Sequence, residues 1–208
     1  MKKERFILLL SVIALLSIIS IKFDSLIIEL TAKIRFELLT NILFGIGFLS
    51  STIIMFFILT SMFLWNENKR RYIPPLWLTL FFSACLTYLI KILIKRPRPF
   101  QIGLPVVSSA IESNMSTWSS SMPSMHSVVV FAALPILNKE FPKLKYFWII
   151  FAFIVGFSRI YCGVHYLSDV IAGALIGLLI GFAVLEIEQK HSFGKRINSY
   201  IRKVFRRK

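Results

Sequence analysis

Three short stretches of this sequence combine residue types that could act together on a phosphate group. The first contains Lys91 and Arg98, the second His126, and the third His165 and Asp169. Lysine and arginine hold phosphate oxygens through charge-assisted hydrogen bonds. A histidine beside a carboxylate can act as a nucleophile, and a second histidine can act as a general acid. The three stretches together therefore indicate phosphoryl chemistry.

The spacing within these stretches adds to that interpretation. Arg159 supplies a second forked cation, and Ser124 stands just before an apolar run that predicts a helix from His126 onward. A helix N-terminus is an anion site, because its first amides have no helical partner. His165 and Asp169 are four residues apart at the start of another predicted helix, so they share one face. A carboxylate on one imidazole nitrogen leaves the other nitrogen free to attack.

Each stretch also has a plainer interpretation. The basic residues of the first stretch could contact only lipid headgroups, and Lys95 and Arg96 are interpreted in that way. The pair of His165 and Asp169 could be a structural hydrogen bond. A metal site formed by His126, His165 and Asp169 is disfavoured, because three nearby cations would repel a divalent ion.

The composition indicates where these residues are placed. Of the 208 residues, 56% are hydrophobic and 17% are charged, whereas soluble domains average about 45–50% and about 25%. The mean hydropathy is +0.73. This apolar content excludes a disordered chain, and two cysteines exclude a disulfide scaffold. The sequence therefore predicts a single membrane domain over residues 1–208.

Apolar runs predict an all-α, polytopic membrane protein with a bundle of six transmembrane helices. The runs are Phe6–Ile21, Leu38–Trp65, Pro74–Ile94, His126–Leu137, Tyr146–Arg159 and His165–Glu186. Residues 22–37 mix charges with Leu and Ile at helical spacing, which predicts an amphipathic interfacial helix between the first two spans. Gly173, Gly177 and Gly181 predict a close packing face, within one bundle rather than in a dimer. The oligomeric state is not indicated.

The distribution of basic residues predicts the orientation. With the N-terminus inside, the inner segments carry 17 Lys and Arg residues and the outer segments carry 8. The positive-inside rule then places both termini in the cytoplasm and the three stretches on the outer face of the cytoplasmic membrane. The net charge of +15 is interpreted as topology and contact with anionic lipid headgroups, not as binding of nucleic acid. The basic tail, residues 189–208, predicts an amphipathic surface helix or a disordered segment.

In this order the three stretches resemble the motifs of the type-2 phosphatidic acid phosphatase (PAP2) superfamily. The family pattern is Lys-x6-Arg-Pro, Pro-Ser-Gly-His and Ser-Arg-x5-His-x3-Asp. Ten of its eleven fixed positions match within residues 91–169, as Lys91-x6-Arg98-Pro99, Pro123-Ser124-Met125-His126 and Ser158-Arg159-x5-His165-x3-Asp169. The departure is Met125, which stands where the family has Gly. Met would be strained there if the position needs a positive φ, but it can still donate its backbone N–H.

The resemblance implies a metal-free phosphatase without a cofactor. In it, His165 attacks the terminal phosphorus to form a phosphohistidine, Asp169 orients His165, and His126 protonates the leaving oxygen. The phosphate oxygens would be held by Lys91, Arg98, Ser124, Met125 and Arg159.

A site at the membrane surface suits a lipid whose phosphate lies at the interface and whose tail lies in the bilayer. The short chain, which carries little beyond the spans, favours a polyprenyl diphosphate such as the undecaprenyl carrier. Phosphatidylglycerol phosphate and phosphatidic acid are alternatives. A lipid phosphotransferase also stays open, because an alcohol could replace water as the acceptor. A transporter is the non-enzyme alternative, and it would place ionisable residues near the middle of the membrane.

Overall fold

The computed structural model describes residues 3–107 and 120–206, and within these ranges it contains helices and no strands. The all-α prediction is therefore confirmed for the described residues. The α-helices are α1 (Lys3–Ser20), α2 (Asp24–Lys33), α3 (Glu37–Leu49), α4 (Thr52–Leu64), α5 (Ile73–Ile94), α6 (Met125–Glu140), α7 (Lys145–Tyr161), α8 (Leu167–His191) and α9 (Phe193–Arg206). Short 3-10 turns cover Ile21–Phe23, Arg70–Tyr72, Pro99–Ile102 and Pro142–Leu144.

Helix α6 forms the centre of the bundle. Every residue from Ser127 to Leu137 is buried, and α5, α7 and α8 all pack against this helix. A helix that is apolar on all sides is covered either by other elements or by lipid, and α6 is covered by its neighbours. Because α6 occupies the core, its N-terminal residues can be reached from several neighbouring helices at one end of the bundle.

The glycine row on α8 is the surface that contacts α6. A Cβ atom added at Gly177 would lie 2.4 Å from the carbonyl oxygen of Val128, and one at Gly181 would lie 2.2 Å from that of Ala132. At Gly173 the nearest atom would be the carbonyl oxygen of Ser124, at 2.9 Å. The close packing face predicted from the sequence is therefore used inside the chain.

The chain is a multi-pass membrane protein. Four helical segments are long and apolar enough to cross a bilayer: Ser11–Lys33, Arg70–Ile102, Pro142–Tyr161 and Leu167–His191. The pair α3 and α4 would make a fifth. The remaining expected span is α6, whose 16 residues are fewer than the about 20 that usually cross a bilayer. The six-span count thus stays a prediction.

The second expected span is broken. The sequence predicts a continuous helix over 38–65, whereas α3 and α4 meet at an angle of 69°. Ser51 adopts an extended backbone (φ −60°, ψ 147°), which ends the helical path, and the Ser50 hydroxyl donates to the Gly47 carbonyl at 3.0 Å. This bend directs α3 toward α7, against which it packs.

Residues 24–33 form the helix α2, which follows α1 after a single 3-10 turn. Together they give the apolar segment Ser11–Lys33, so the interfacial position expected for this helix stays a prediction. One side of α2 is buried through Asp24, Ile28 and Thr31. The buried carboxylate of Asp24 is unusual in such a helix, and it contacts the site described below.

The basic tail forms the helix α9, which packs against the turn Arg70–Tyr72. The N–H of Gly194 donates to Glu188 Oε2 at 2.8 Å, and a Cβ at Gly194 would lie 2.2 Å from the carbonyl oxygen of Arg71. The sequence left a helix and a disordered segment open, and the structure gives a helix through Arg206. Two basic segments that the sequence assigns to the inner face therefore lie together.

We expect Gly177→Ala to destabilise the protein, because the added methyl group meets backbone atoms of α6 that cannot turn away. Overpacking of this kind costs about 1–3 kcal/mol. The midpoint of unfolding in a detergent-to-SDS titration measures the effect. Gly45→Ala is the matched control, since nothing lies within 4 Å of a Cβ at Gly45. Equal midpoints for the two variants would contradict the packing role of the glycine row.

Candidate active site

The predicted site residues come together at one end of the bundle. The C-terminal end of α5, the N-termini of α6 and α8, and the end of α7 meet there. Main-chain hydrogen bonds join these elements: the Ser124 N–H donates to the Asp169 carbonyl at 3.1 Å, and the Ser121 N–H donates to the Arg96 carbonyl at 2.8 Å. Residues far apart in sequence are thereby held in fixed relative positions.

His165 and Asp169 form the predicted pair. His165 Nδ1 lies 3.5 Å from Asp169 Oδ2, which is longer than an ordinary hydrogen bond. The same Oδ2 accepts the Tyr166 N–H at 2.9 Å. The four-residue spacing thus places the Asp169 carboxylate beside Nδ1 of His165, and Nε2 is the ring nitrogen that does not face this carboxylate.

The surroundings of His165 favour its neutral form. The residue is 3% exposed, and it precedes α8, outside the spanning segments. Burial lowers the pKa of His165 well below its usual range, and the positive charges of Arg98, Lys91 and Arg159 lower it further. A neutral imidazole keeps a lone pair available at neutral pH, as a nucleophile requires.

His126 is the second residue of α6 and is half-buried. It lies within electrostatic range of Arg159, His165, Arg98 and Lys91. The structure therefore brings together both histidines and the three cations that the sequence singled out. The same positive charges disfavour a protonated His126, and an anion held between the cations, such as a phosphate, would offset them and allow His126 to carry the proton that a general acid gives up.

Each of the three cations donates a hydrogen bond to a neutral oxygen. Arg98 Nη1 donates to the Val164 carbonyl at 3.1 Å, Arg159 Nε donates to Ser158 Oγ at 3.1 Å, and Lys91 Nζ donates to the Ser120 carbonyl. Arg98 and Arg159 are only 7% and 6% exposed. Buried cations favour an anionic partner, so this cluster is suited to a phosphate group.

Ser124 provides a further sign of a ligand. Its hydroxyl is fully buried, and Oγ has no hydrogen-bond partner among the described residues. A buried hydroxyl without a partner is costly. Ser124 is the N-cap of α6, where the first amides also lack helical partners. An anion at this position would satisfy both the hydroxyl and these amides.

Met125 is not strained at the position where the motif has Gly. It is the first residue of α6, and the only described non-glycine residues with positive φ are Lys95 and Ser192. Its side chain is half-buried against the main apolar core. Met125 can therefore donate its N–H in place of Gly.

The interpretation of Arg96 as a headgroup contact is wrong. Its guanidinium donates to Asp169 Oδ1 and to Asp24 Oδ2, both at 2.7 Å, and is therefore bound inside the protein. Asp24 was likewise missed, because the sequence presents it as one of several charges in an amphipathic segment. The sequence signal for Arg96 is its position inside the Lys-x6-Arg motif, and this signal does not extend to Asp24.

Gly47 on α3 is a further residue that the sequence did not single out. A Cβ there would lie 1.4 Å from Arg159 Nη2, so the guanidinium occupies the space that any other residue would fill. Helix α3 thereby contributes to the site, because the glycine at position 47 leaves room for the Arg159 guanidinium.

Among residues 3–107 and 120–206, no three His, Cys, Asp or Glu side chains are grouped to hold a metal ion. This finding concerns the protein ligands alone, and metal independence stays a prediction.

Comparison with known proteins agrees with the motifs. The family model described as the PAP2 superfamily matches residues 72–193, more than half of the chain, and the eight predicted site residues lie within this range. The chain belongs to the PAP2 superfamily. This PAP2 chain is also similar to a solved PAP2 type phosphatidylglycerolphosphate phosphatase from Bacillus subtilis, with a TM-score of 0.69 and 25% identity over 88% of this chain and 96% of that one.

Two curated PAP2 relatives show how the named activities vary. The bacitracin transport permease protein BcrC of Bacillus licheniformis is 38% identical over 104 residues, 50% of each chain. The undecaprenyl-diphosphatase BcrC of Bacillus subtilis strain 168 is 27% identical over 118 residues, 56% of this chain and 58% of that one. The chain thus spans between half and three fifths of the length of these relatives.

We expect Gly47→Ala to lower activity while leaving stability nearly unchanged. The new methyl group meets only the far end of a flexible side chain, so the Arg159 guanidinium moves while the backbone stays. A displacement of about 1 Å at a catalytic site can cost about 100-fold in rate. Phosphate release per folded molecule measures the effect, with Gly45→Ala as control. Full activity of Gly47→Ala would show that the position of Arg159 does not matter.

Proposed function

We propose that this protein is a lipid phosphatase of the membrane that removes the terminal phosphate of a polyprenyl diphosphate through a phosphohistidine. The observation that carries the proposal is the clustering of His126, His165 and Asp169 with three cations at one end of the bundle. No step in this chemistry needs a metal ion, because the cations supply the positive charge.

In the first step, His165 Nε2 attacks the terminal phosphorus in line with the bridging oxygen. The P–N bond forms as the P–O bond breaks, and His126 gives its proton to the leaving lipid phosphate. Asp169 stabilises the positive imidazole that results. Lys91, Arg98 and Arg159, with the Ser124 hydroxyl and the Met125 N–H, hold the three equatorial oxygens.

In the second step, a water molecule attacks the phosphohistidine from the side that the lipid has left. His126, now neutral, accepts a proton from the water as the new P–O bond forms and the P–N bond breaks. Inorganic phosphate leaves, and His165 regains its lone pair. His126 thus acts as a general acid in the first step and as a general base in the second.

The choice of a polyprenyl diphosphate is supported by the name of the undecaprenyl-diphosphatase relative. An apolar groove between residues 82–89 of α5 and residues 180–187 of α8 would suit a long tail. On α5 the groove ends two residues before Lys91, and on α8 it begins eleven residues after Asp169. Phosphatidylglycerol phosphate is the main alternative, because the similar solved structure is that of a phosphatidylglycerolphosphate phosphatase. Phosphatidic acid and transfer to an alcohol are further alternatives.

A transport function is less consistent with the placement of charge. One relative is named a transport permease, and a transporter would hold ionisable groups near the middle of its spans. Here α8 has no charged residue between Asp169 and Glu186, and α5 has none before Lys91. The charged residues of these two spans lie toward the ends, as a surface enzyme requires, whereas the segment Ser11–Lys33 carries Lys22 and Asp24 near its middle.

We further propose that both termini lie in the cytoplasm and that the site faces outward from the cytoplasmic membrane. The distribution of Lys and Arg supports this orientation. The helix α9 would then lie on the inner leaflet, with its basic residues near anionic lipid headgroups.

Labelling of single cysteines tests the orientation. In a Cys85→Ala, Cys162→Ala background, we expect a membrane-impermeant maleimide to label Ile102→Cys in intact cells. Asn68→Cys should react only after the cells are permeabilised, because residue 68 lies in the segment assigned to the inner face. Both positions are exposed, so each serves as the other's control. The reverse pattern would place the site on the cytoplasmic side.

Phosphate release from purified protein tests the reaction. The panel holds undecaprenyl diphosphate, phosphatidylglycerol phosphate and phosphatidic acid, each with EDTA present. We expect release to be fastest with undecaprenyl diphosphate, to survive EDTA, and to fall by at least about 1,000-fold in His165→Ala, since that variant lacks the nucleophile. Release that EDTA abolishes, or that His165→Ala retains, would contradict the mechanism. A faster rate with another lipid would reassign the substrate.

A further inference from the structure

Asp24 is buried and Arg96 is half-buried, and the proposed reaction gives neither charged residue a role. Asp24 begins α2 and is 3% exposed. Arg96 lies in the turn after α5, which the left-handed backbone of Lys95 (φ 50°) directs back toward α8. Burying a charge costs free energy unless it is paired, and this pair lies directly beside Asp169.

The Arg96 guanidinium joins two carboxylates from distant parts of the chain. Nη1 donates to Asp169 Oδ1 and Nη2 donates to Asp24 Oδ2, each at 2.7 Å. Nη1 also donates to Ser168 Oγ at 2.7 Å, and the guanidinium carbon lies 4.1 Å from the centre of the Tyr166 ring. A planar fork that is fixed on both sides and stacked on a ring has one orientation.

Asp24 is held by the start of α8 as well as by Arg96. Its Oδ1 accepts the Ser168 N–H at 3.0 Å, and its Oδ2 also accepts the Ser168 hydroxyl. Because Ser168 immediately precedes Asp169, these bonds fix the first turn of α8. The carboxylate of Asp24 therefore constrains both the Arg96 guanidinium and the backbone that carries Asp169.

The result is that each oxygen of Asp169 has an assigned contact. Oδ1 accepts from Arg96, while Oδ2 accepts the Tyr166 N–H and faces His165 Nδ1 at 3.5 Å. Rotating the carboxylate would break the bond to Arg96 or the bond to Tyr166. We propose that Arg96 and Asp24 are positioning residues, which hold Asp169 in the orientation that His165 needs. This inference rests on the proposed function.

Charge balance gives Asp24 a second effect. Arg96 is shared between the carboxylates of Asp24 and Asp169. These three groups together therefore carry a net charge of one negative unit. Without Asp24, Arg96 and Asp169 would form a neutral pair. The excess charge stabilises the positive imidazole of the phosphohistidine, because a nearby opposite charge acts strongly in a buried site.

The test compares Asp24→Asn, Arg96→Lys and Arg96→Gln with wild type, using undecaprenyl diphosphate and the protein in detergent. We expect Arg96→Gln to lower kcat by about 100-fold, and Arg96→Lys and Asp24→Asn to lower it by about 10-fold, with KM changed less than about threefold. A single ammonium group cannot bridge both carboxylates, and Asn keeps the shape of Asp24 without its charge. The rate of phosphoenzyme formation should fall in parallel with kcat.

Lys95→Asn is the matched control, since Lys95 is an exposed cation in the same turn and Asn tolerates a left-handed backbone. It should leave kcat and KM unchanged. A purely structural role for the pair predicts lower unfolding midpoints with kcat per folded molecule unchanged, and that result would overturn the inference. A raised KM with unchanged kcat would instead assign Arg96 to the substrate phosphate and also overturn it. A wild-type protein without turnover would overturn the proposed function, and the inference with it.

Discussion

The close contact between α6 and α8 is the constraint on which the site depends. At Gly173, Gly177 and Gly181 the backbone of α8 approaches the carbonyl oxygens of α6 so closely that no side chain fits between them. This contact sets the two N-termini side by side, where the Ser124 N–H donates to the Asp169 carbonyl at 3.1 Å. In a membrane, where lipid tails compete equally for apolar surface, helices associate through such close packing. Without it, the two histidines would have no fixed separation.

The cations buried at one end of the bundle need partners that offset the free-energy cost of their burial. Arg98 and Arg159 are buried with hydrogen bonds to a carbonyl and a hydroxyl, which offset part of the cost of burial. An anion bound between the two guanidinium groups would offset more of it. The same groups lower the pKa of His165 together with burial. In the proposed mechanism, a single cluster of cations both attracts the phosphate and keeps His165 neutral.

Helix positions and motif residues could be predicted because their signals are local. Apolar runs and spacings of three or four residues indicated α5, α7 and α8 within a few residues, and the motif spacing indicated every member of the cluster. The bend at Ser50 and Ser51 was missed, because both flanking segments are apolar and hydropathy does not report direction. Asp24 and Arg96 were missed because they are 72 residues apart, and no local pattern links a charge on α2 to one after α5.

Met125 is the one departure from the motif, and its position indicates which part of the proposed site it affects. Its backbone is helical, so its N–H lies in the first turn of α6 and can act as a donor. Its side chain packs with the apolar core and not among the cations. The added volume therefore lies on the apolar side of the site. Under the proposed function, we therefore expect the replacement to affect the part of the lipid next to the phosphate rather than the residues proposed to transfer the phosphoryl group.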